Sequence, residues 1–259
     1  MDLANRVAII TGAASGIGAA CARAFAARGA RVVVVDVNAA GAEQVARETG
    51  GLAIACDIGQ EAQVNALVAR TQRELGPVDV FFSNAGVATG GDPLSTPIEV
   101  WNAQWQINVM SHVYAVRAVL PGMLERGEGY LLHTASMAGI LTSAGNLTYA
   151  TTKHAVVGLA EWLSITYHDK GIRVSLLAPL GVRTPMLGPI DSAFARNFAG
   201  PIKEPEEVAQ MVLDAIAAER FLILTDPIAQ KWMQHKTSDL ERWLQGMRRL
   251  QQAMETPGA

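Results

Sequence analysis

The chain has 259 residues, of which 50% are hydrophobic and 17% are charged. This composition is typical of a globular protein with a large core and excludes intrinsic disorder, which requires low hydrophobicity and high charge. With 21 basic and 24 acidic side chains, the chain carries a net charge of −3 and lacks the basic excess of a nucleic-acid-binding surface.

Short apolar runs alternate with helical stretches from residue 7 onwards. The predicted strands are Val7–Ile10, Arg31–Val35, Leu52–Cys56, Val78–Phe82, Gly129–Thr134, Ile172–Ala178 and Phe221–Leu224. The predicted helices are Ser15–Arg28, Ala40–Glu48, Glu61–Glu74, Ile98–Arg126 (fraying at Pro121–Gly122), Tyr149–Asp169 and Glu204–Ala218. Apolar strands joined by helices pair in parallel and are covered on both faces. The pattern predicts an α/β fold, with one parallel sheet of about seven strands over residues 1–226.

Residues 227–259 are predicted to form a helical extension. Apolar residues recur there at helical spacing, namely Leu240, Trp243, Leu244, Met247 and Leu250. Acidic residues dilute the positive charge that a membrane-surface helix needs. We therefore expect this extension to pack on its own subunit or on a second one.

A glycine-rich segment separates the first predicted strand from the first predicted helix. Glycines let the backbone approach a phosphate, and a helix N-terminus supplies N–H donors and a positive end. The spacing G-x-x-x-G-x-G alone is a weak signal, but its position favours phosphate binding over a plain turn. The predicted contacts are Gly12, Ser15, Gly16, Ile17 and Gly18.

Asp36 ends the second strand, 18 residues beyond Gly18. This is near the spacing at which an acid binds the hydroxyls of an adenosine ribose. A carboxylate repels a 2′-phosphate, and no lysine or arginine follows in residues 37–40. The sequence therefore favours NAD over NADP as the cofactor.

The third strand runs into Cys56, Asp57 and Ile58, which we assign to the adenine end of the cofactor. Asp57 has two possible roles: it binds the adenine amino group, or it caps the next helix. Cys21 is the other cysteine, and two thiols are too few for a disulfide framework. With no signal peptide and no run of 18 apolar residues, we expect a cytoplasmic protein without a membrane partner.

Tyr149 and Lys153 stand four residues apart in a predicted helix, so their side chains share one face. A phenol is a poor base near neutrality, but a nearby ammonium favours the phenolate and makes a usable general acid/base. Ser136 ends the fifth strand, where it can meet that face. No Gly-x-Ser-x-Gly elbow of a hydrolase surrounds it. The five histidines lack metal spacing, so no catalytic metal is expected, and His133 is predicted to pack in the core.

Together these motifs resemble the short-chain dehydrogenase/reductase family over about residues 4–226. The matches are the glycine-rich turn, the Ser83–Gly86 segment (Asn-Asn-Ala-Gly in the family) and the catalytic positions Asn108, Ser136, Tyr149 and Lys153. The resemblance implies a single Rossmann-like, doubly wound sheet. It also implies a nicotinamide cofactor to or from which hydride is transferred.

The resemblance implies a role for each catalytic residue. Tyr149 would exchange a proton with the substrate oxygen, and Ser136 would hold that oxygen. Lys153 would bind the nicotinamide ribose and lower the tyrosine pKa, and Asn108 would hold a water that links Lys153 to solvent. Further cofactor contacts are implied at Asn84, Ala85, Gly86, Pro179, Val182, Thr184 (on the carboxamide) and Met186.

The chain departs from the family pattern at three places. Ser83 replaces the first asparagine of its segment. Leu180 replaces the usual glycine after strand six, and it either enters the substrate pocket or packs. The tail after Asp226–Pro227 replaces the usual end of the chain, which puts the tetramer contact at this end in doubt.

The substrate region is predicted to be mainly apolar. Two interpretations are open for the apolar residues of the next segment: they form a mobile lid over the substrate, or they belong to the ordinary core. These residues are Met186, Leu187, Phe194 and Phe198. The pocket would also use Met137, Ala138, Ile140, Leu141 and Leu180. The predicted substrate contacts are Ser136, Ala138, Asn146, Tyr149, Leu180 and Met186, with Asn146 the most obvious polar one.

The family often pairs the helices that carry Asn108 and Tyr149, so a homodimer or homotetramer is expected. Surface-compatible apolar residues on these helices are Val113, Val116, Val157 and Leu159. The predicted activity is oxidation by NAD of a mainly apolar secondary alcohol, cyclic or steroid-like, or reduction of the matching ketone. Two alternatives are an NADPH-preferring carbonyl reductase, which Asp36 argues against, and a non-catalytic dinucleotide-binding sensor or scaffold, which would need none of the four catalytic residues.

Overall fold

Seven strands form one parallel sheet in the computed structural model, which describes residues 1–142, 145–188 and 199–255, with side chains up to residue 252. The strands are β1 (Val7–Thr11), β2 (Arg31–Asp36), β3 (Leu52–Ala55), β4 (Val80–Ser83), β5 (Gly129–Thr134), β6 (Ile172–Ala178) and β7 (Leu222–Leu224). Their order across the sheet is β3-β2-β1-β4-β5-β6-β7. The strand order reverses at β1, which pairs with both β2 and β4. Doubly wound sheets bind ligands outside the carboxyl ends of their strands at this reversal.

Helices cover both faces of the sheet, so the predicted fold class is confirmed. The helices are α1 (Gly16–Ala27), α2 (Ala39–Thr49), α3 (Glu61–Leu75), α4 (Ile98–Trp105), α5 (Ser111–Arg126), α6 (Ala138–Leu141), α7 (Leu147–Tyr167), α8 (Pro205–Ala217), α9 (Pro227–Ser238) and α10 (Leu240–Glu255). Successive strand residues point to opposite faces of the sheet and pack in two separate cores. Ile10 packs with α1, α2 and α8, whereas Ile9 packs with α3, α5 and α7. Across the described ranges, no helix has the length and apolar character needed to cross a membrane.

The helix predicted over residues 98–126 consists of three segments. A π-helical turn, Gln106–Met110, separates α4 from α5. Such turns insert an extra residue into the helical ladder and are frequent at functional sites. The predicted fraying at Pro121–Gly122 is wrong, because α5 continues to Arg126. Pro121 is exposed while Met123 is fully buried in the core, and the helix ends only at Gly127, whose φ is +65°.

The apolar residues that were expected on the outer faces of α5 and α7 are not the ones that the structure exposes. Val116 is 8% exposed and packs in the core of its own chain, so it is not available to a partner. Val113, Val157 and Leu159 are half-buried. The exposed apolar side chains on α7 are instead Trp162 and Ile165.

The tail forms α9 and α10 and packs on its own chain. Asp226 caps α9, since its Oδ1 accepts the N–H of Ile228 at 2.9 Å. A third apolar cluster joins the tail to the sheet and combines buried Met137, Leu141, Ala178 and Ala229 with half-buried Leu180, Trp232, Met233 and Trp243. The Lys236 ammonium also donates to the carbonyl oxygen of Ile140. The tail therefore lies beside the carboxyl ends of β5 and β6.

Candidate active site

The glycine-rich turn between β1 and α1 forms a cradle that side chains would fill. Gly12 has a φ of +66°, and a Cβ there would lie 2.8 Å from the Cα of Ala85. Ser15 precedes α1 but makes no side-chain capping bond, so it leaves the first-turn N–H groups of the helix available. This arrangement fits a phosphate group, which such donors and the positive helix end favour.

Gly18 is predicted to contact the cofactor, but it lies beneath the turn and is not among the described residues that line the cavity of about 800 Å³. A Cβ at this position would sit 2.2 Å from the carbonyl oxygen of Gly12 and 2.8 Å from Nδ2 of Asn84. Glycine is required here because α1 packs closely under the turn. The role of Gly18 is therefore to allow the turn to form.

Thr11 and Asn84 fix the ends of three strands around this cradle. Thr11 Oγ1 accepts the N–H groups of Asn84 and Ala85 at 2.9 and 3.1 Å. Asn84 Nδ2 donates to the carbonyl of Thr11 at 3.0 Å, and its Oδ1 accepts from Thr134 Oγ1 at 3.1 Å. These bonds connect β1, β4 and β5 and hold the segment Asn84–Gly86 in place.

Asp36 and Asp57 both order the backbone around them. The Asp36 carboxylate accepts the N–H of Ala14 at 3.0 Å and that of Asn38 at 2.9 Å. Asp57 Oδ1 accepts the N–H of Gly59 at 2.9 Å, which stabilises the turn before α3. A carboxylate has about four acceptor positions, so both groups retain capacity for a ligand.

One cavity of about 800 Å³ brings the predicted residues together. It is lined by these predicted cofactor residues: Gly12, Ser15, Gly16, Ile17, Asp36, Cys56, Asp57, Ile58, Asn84, Ala85, Gly86, Pro179, Val182, Thr184 and Met186. It is also lined by Ser136, Ala138, Asn146, Tyr149, Lys153 and Leu180. Burial raises the pKa of Cys56 to about 11, so this thiol is protonated and unreactive near neutrality.

Ser136, Tyr149 and Lys153 line this cavity together. Burial raises the pKa of the Tyr149 phenol above its ordinary value, and a hydrogen bond with Ser136 opposes that effect. Lys153 Nζ lies 5.6 Å from the centre of the Tyr149 ring and donates to the carbonyl of Thr134 at 2.8 Å. Burial lowers the pKa of Lys153 to about 8. The arrangement can exchange a proton with a ligand hydroxyl held beside Ser136.

Asn108 lies behind this group, in the π-helical turn, and is fully buried. Its Oδ1 accepts the N–H of Val87 at 2.9 Å, and its Nδ2 donates to the carbonyl of Val87 at 2.9 Å and to Thr152 Oγ1 at 3.1 Å. The side chain thus holds the loop after Gly86 against α7. The predicted link through a water to Lys153 stays a prediction.

Leu180 lines the cavity and also packs in the third apolar cluster. Its predicted contact with the substrate stays a prediction. Ile140 lines no part of the cavity and packs toward α9 instead. Met186 and Leu187 line the cavity, whereas Phe194 and Phe198 lie outside the described residues.

Sequence reasoning missed the contribution of the tail to this cavity. Five tail residues line it: Trp232, His235, Trp243, Met247 and Leu250. Three of them belong to the helical stripe that was interpreted only as a packing surface. Periodicity identified the apolar face of α10, but it contained no signal for what that face covers. No cluster of His, Cys, Asp and Glu in the part of the chain described here could hold a metal ion.

The chain matches the short chain dehydrogenase family over residues 6–194, and it belongs to that family of oxidoreductases. It is 36% identical over 251 residues to 1-deoxy-11-beta-hydroxypentalenate dehydrogenase from Streptomyces exfoliatus, covering 93% of this chain and 90% of that protein. It is 40% identical over 190 residues to 2,5-dichloro-2,5-cyclohexadiene-1,4-diol dehydrogenase from Sphingobium indicum, covering 72% of this chain and 76% of that one.

The fold is also similar to that of a solved protein. A short chain dehydrogenase/reductase from Burkholderia phymatum, in complex with NAD, has a TM-score of 0.86 and 29% sequence identity. The similarity covers 93% of this chain and 96% of that one, so it includes part of the region after β7.

Proposed function

We propose that this chain is an NAD-dependent dehydrogenase that oxidises a mainly apolar secondary alcohol, cyclic or steroid-like, or reduces the matching ketone. The observation that carries the proposal is that Ser136, Tyr149 and Lys153 line the same cavity as the glycine-rich turn. The relatives named above are dehydrogenases, and two of their names describe hydroxylated or diol compounds. These names support an alcohol as the substrate.

The proton chemistry is assigned to this chain's own side chains. Tyr149 takes the hydroxyl proton during oxidation, and Ser136 holds the substrate oxygen. The Lys153 ammonium favours the phenolate, because a positive charge near a phenol stabilises its ionised form. When bound, the cofactor supplies the hydride acceptor, and the residues around Gly86 and Thr184 would hold its nicotinamide end.

The preference for NAD is proposed on the chemistry around Asp36. Its carboxylate lines the cavity at the end of β2, where a ribose hydroxyl can donate to it. Val37, which also lines the cavity, is followed by Asn38 and Ala39, none of which carries a positive charge for a 2′-phosphate. The NAD complex of the Burkholderia phymatum relative is consistent with this preference.

The decisive experiment compares Tyr149→Phe with the wild type. Formation of NADH is followed with a panel of cyclic secondary alcohols and hydroxysteroids, offering NAD and NADP side by side. We expect Tyr149→Phe to abolish turnover while NADH still binds, because only the phenolic oxygen is removed. Tyr167→Phe, at the end of α7, is the matched control and is expected to retain activity.

Each outcome separates the proposal from its alternatives. Near-wild-type turnover by Tyr149→Phe would refute the mechanism. A preference for NADPH would favour a carbonyl reductase. Binding of NAD by the wild type without turnover of any alcohol or ketone would favour a sensor or scaffold.

We further propose that the protein assembles as a homodimer or homotetramer through α7. Trp162 and Ile165 on this helix are 57% and 84% exposed. Burying such side chains against a second copy removes apolar surface from water.

A further inference from the structure

Gln104 lies in the last turn of α4 and is buried, with 1% of its surface exposed. A buried amide is costly unless its polar atoms are hydrogen-bonded, and both polar atoms of Gln104 have partners. Its Nε2 donates to the carbonyl oxygen of Val87 at 3.3 Å, and its Oε1 accepts from Thr89 Oγ1. Gln104 thus binds the loop after Gly86 at two points, and Val87 in this loop lines the cavity.

The same amide oxygen also holds the beginning of α7. Gln104 Oε1 accepts a hydrogen bond from Thr148 Oγ1 at 2.9 Å, and the Thr148 side chain is fully buried. The Thr148 hydroxyl oxygen also lies 3.3 Å from the carbonyl oxygen of Gly90 in the loop. Thr148 immediately precedes Tyr149 in the first turn of α7. One buried side chain therefore connects α4 and the loop to the residue next to the proposed general acid/base.

Asn108 makes the equivalent connection one turn further along. It lies four residues after Gln104, and its Nδ2 donates to Thr152 Oγ1 at 3.1 Å. Thr152 immediately precedes Lys153, whose Nζ also donates to the carbonyl oxygen of Thr134 at 2.8 Å. The second turn of α7 therefore has anchors of its own, and Gln104 serves the first turn.

The first turn of α7 depends on such outside contacts. Asn146 occupies the N-cap position, but within the described residues its side chain makes no capping bond to this turn. The N–H of Leu147 donates to the carbonyl oxygen of Gly91 at a long 3.3 Å. A first turn without a side-chain cap frays more readily, because its N–H groups have no partner inside the helix. The bond from Thr148 to Gln104 therefore restrains the turn that carries the proposed general acid/base.

We propose that Gln104 is a positioning residue for the reaction: through Thr148 it anchors the first turn of α7 and so fixes Tyr149 relative to Ser136 and the cofactor. Gln104 acts through these residues, since it is not among the described residues that line the cavity. Proton and hydride transfer need closely placed and aligned atoms, and a displacement of about 1 Å costs about 100-fold in rate. This inference rests on the proposed function, because it takes Tyr149 as the general acid/base.

The test breaks the contact from each side. Gln104→Leu removes both polar atoms of the amide, and Thr148→Val removes the hydroxyl with almost no change of shape. Thr148→Ser keeps the hydroxyl and is the rescuing variant. Thr71→Val is the matched control, because Thr71 is also fully buried and donates to the carbonyl oxygen of Leu67 at 2.9 Å. Thr71 lies in α3, which contributes no residue to the lining of the described cavity.

The measured quantities are kcat, KM for the alcohol, the dissociation constant of NADH and the deuterium isotope effect at the carbinol carbon. We expect Gln104→Leu and Thr148→Val each to lower kcat by about 10- to 100-fold and to increase the isotope effect, because the transfer step itself becomes slower. The dissociation constant of NADH should not change, since the glycine-rich turn is unaltered. The double variant should be no slower than either single variant, because both substitutions remove the same contact. Thr148→Ser and Thr71→Val should keep the kcat of the wild type.

Hydrogen exchange of the backbone amides of residues 147–150 reports on the first turn of α7 without any need for turnover. Exchange there should be faster in Gln104→Leu and Thr148→Val than in the wild type, and unchanged in Thr71→Val. Wild-type kcat or wild-type exchange in both Gln104→Leu and Thr148→Val would overturn the inference. A wild type that turns over no alcohol or ketone would count against the proposed function, and the exchange rates would still decide whether Gln104 anchors the turn.

Discussion

His112 and His133 face each other in the interior, with their Nδ1 atoms 2.9 Å apart and their rings inclined by 30°. One nitrogen must donate and the other accept, so the two neutral imidazoles have opposite tautomers. Both side chains are fully buried, and neither Nε2 has a partner in the described chain. Burial lowers the pKa of His133 to about 4, and burial, His133 and Lys153 together lower the pKa of His112 well below its ordinary value.

This pair predicts a loss of stability in mild acid. Below about pH 6.5 the unfolded chain binds protons at both histidines, whereas in the folded chain His133 does so only near pH 4 and the pKa of His112 is also well below its ordinary value. The free energy of unfolding therefore falls as pH falls through this interval. His133 alone should account for roughly 3 kcal/mol between these limits. Urea unfolding between pH 7.5 and pH 4 measures the free energy of unfolding. We expect this free energy to fall less steeply with pH in His133→Leu than in the wild type. An NMR titration of either imidazole near pH 6.5 in the folded protein would contradict the prediction.

Asp36→Ala is expected to weaken NAD binding by about 10- to 100-fold, since hydrogen bonds to a charged group are each worth about 1.5–3 kcal/mol. Binding of NADP should improve relative to NAD, because the repulsion of its 2′-phosphate is removed. The alanine also removes the acceptor for the Ala14 N–H, so Asp36→Asn is the control that keeps an acceptor oxygen there. Calorimetric titration measures the dissociation constants of NAD and NADP for each variant. If the ratio of these two constants is unchanged in both variants, Asp36 does not bind the adenosine ribose.

Gly18→Ala and Gly246→Ala are expected to change stability in opposite directions, although both positions lie in helices. The first would place a methyl group 2.2 Å from the Gly12 carbonyl, which forces the turn to shift and should cost about 1–3 kcal/mol, with loss of NAD affinity. The second meets no atom within 4 Å and should stabilise α10 by about 0.5–1 kcal/mol. Thermal unfolding with and without NAD measures the stability change of each variant. Equal stability changes in the two variants would disprove the close-packing role of Gly18.

Ile165→Lys should reduce the molar mass measured by light scattering toward that of one chain. A charge on the exposed face of α7 would have to be buried in the proposed interface, which is unfavourable without a partner. Leu94→Lys provides the comparison, because Leu94 is 96% exposed but lies in the loop before α4. A mass that stays unchanged in Ile165→Lys would exclude α7 as the interface.

The sequence by itself determined the sheet and the positions of its chemistry. Apolar strands of about five residues alternating with helices leave one arrangement, parallel and covered on both faces, and this places the ends of β1, β2, β4 and β5 on one edge. Gly12, Asp36 and Ser136 lie at or just beyond such ends, so spacing together with the family resemblance predicted that they lie near one another, as the cavity shows. The i, i+4 relation of Tyr149 and Lys153 follows from helix geometry alone.

Only the tertiary structure decided the features that depend on packing between distant segments. The π-helical turn places Asn108 against Val87, because that amide pairs with both backbone groups of the loop. Gly18 packs under the turn instead of facing the cavity, a distinction that spacing does not encode. The stripe on α10 predicted a buried face, but its placement over the cavity arises from contacts with Met137 and Ala178 on remote elements. Periodicity reports that a surface is apolar, and the partner of that surface is set by the three-dimensional fold.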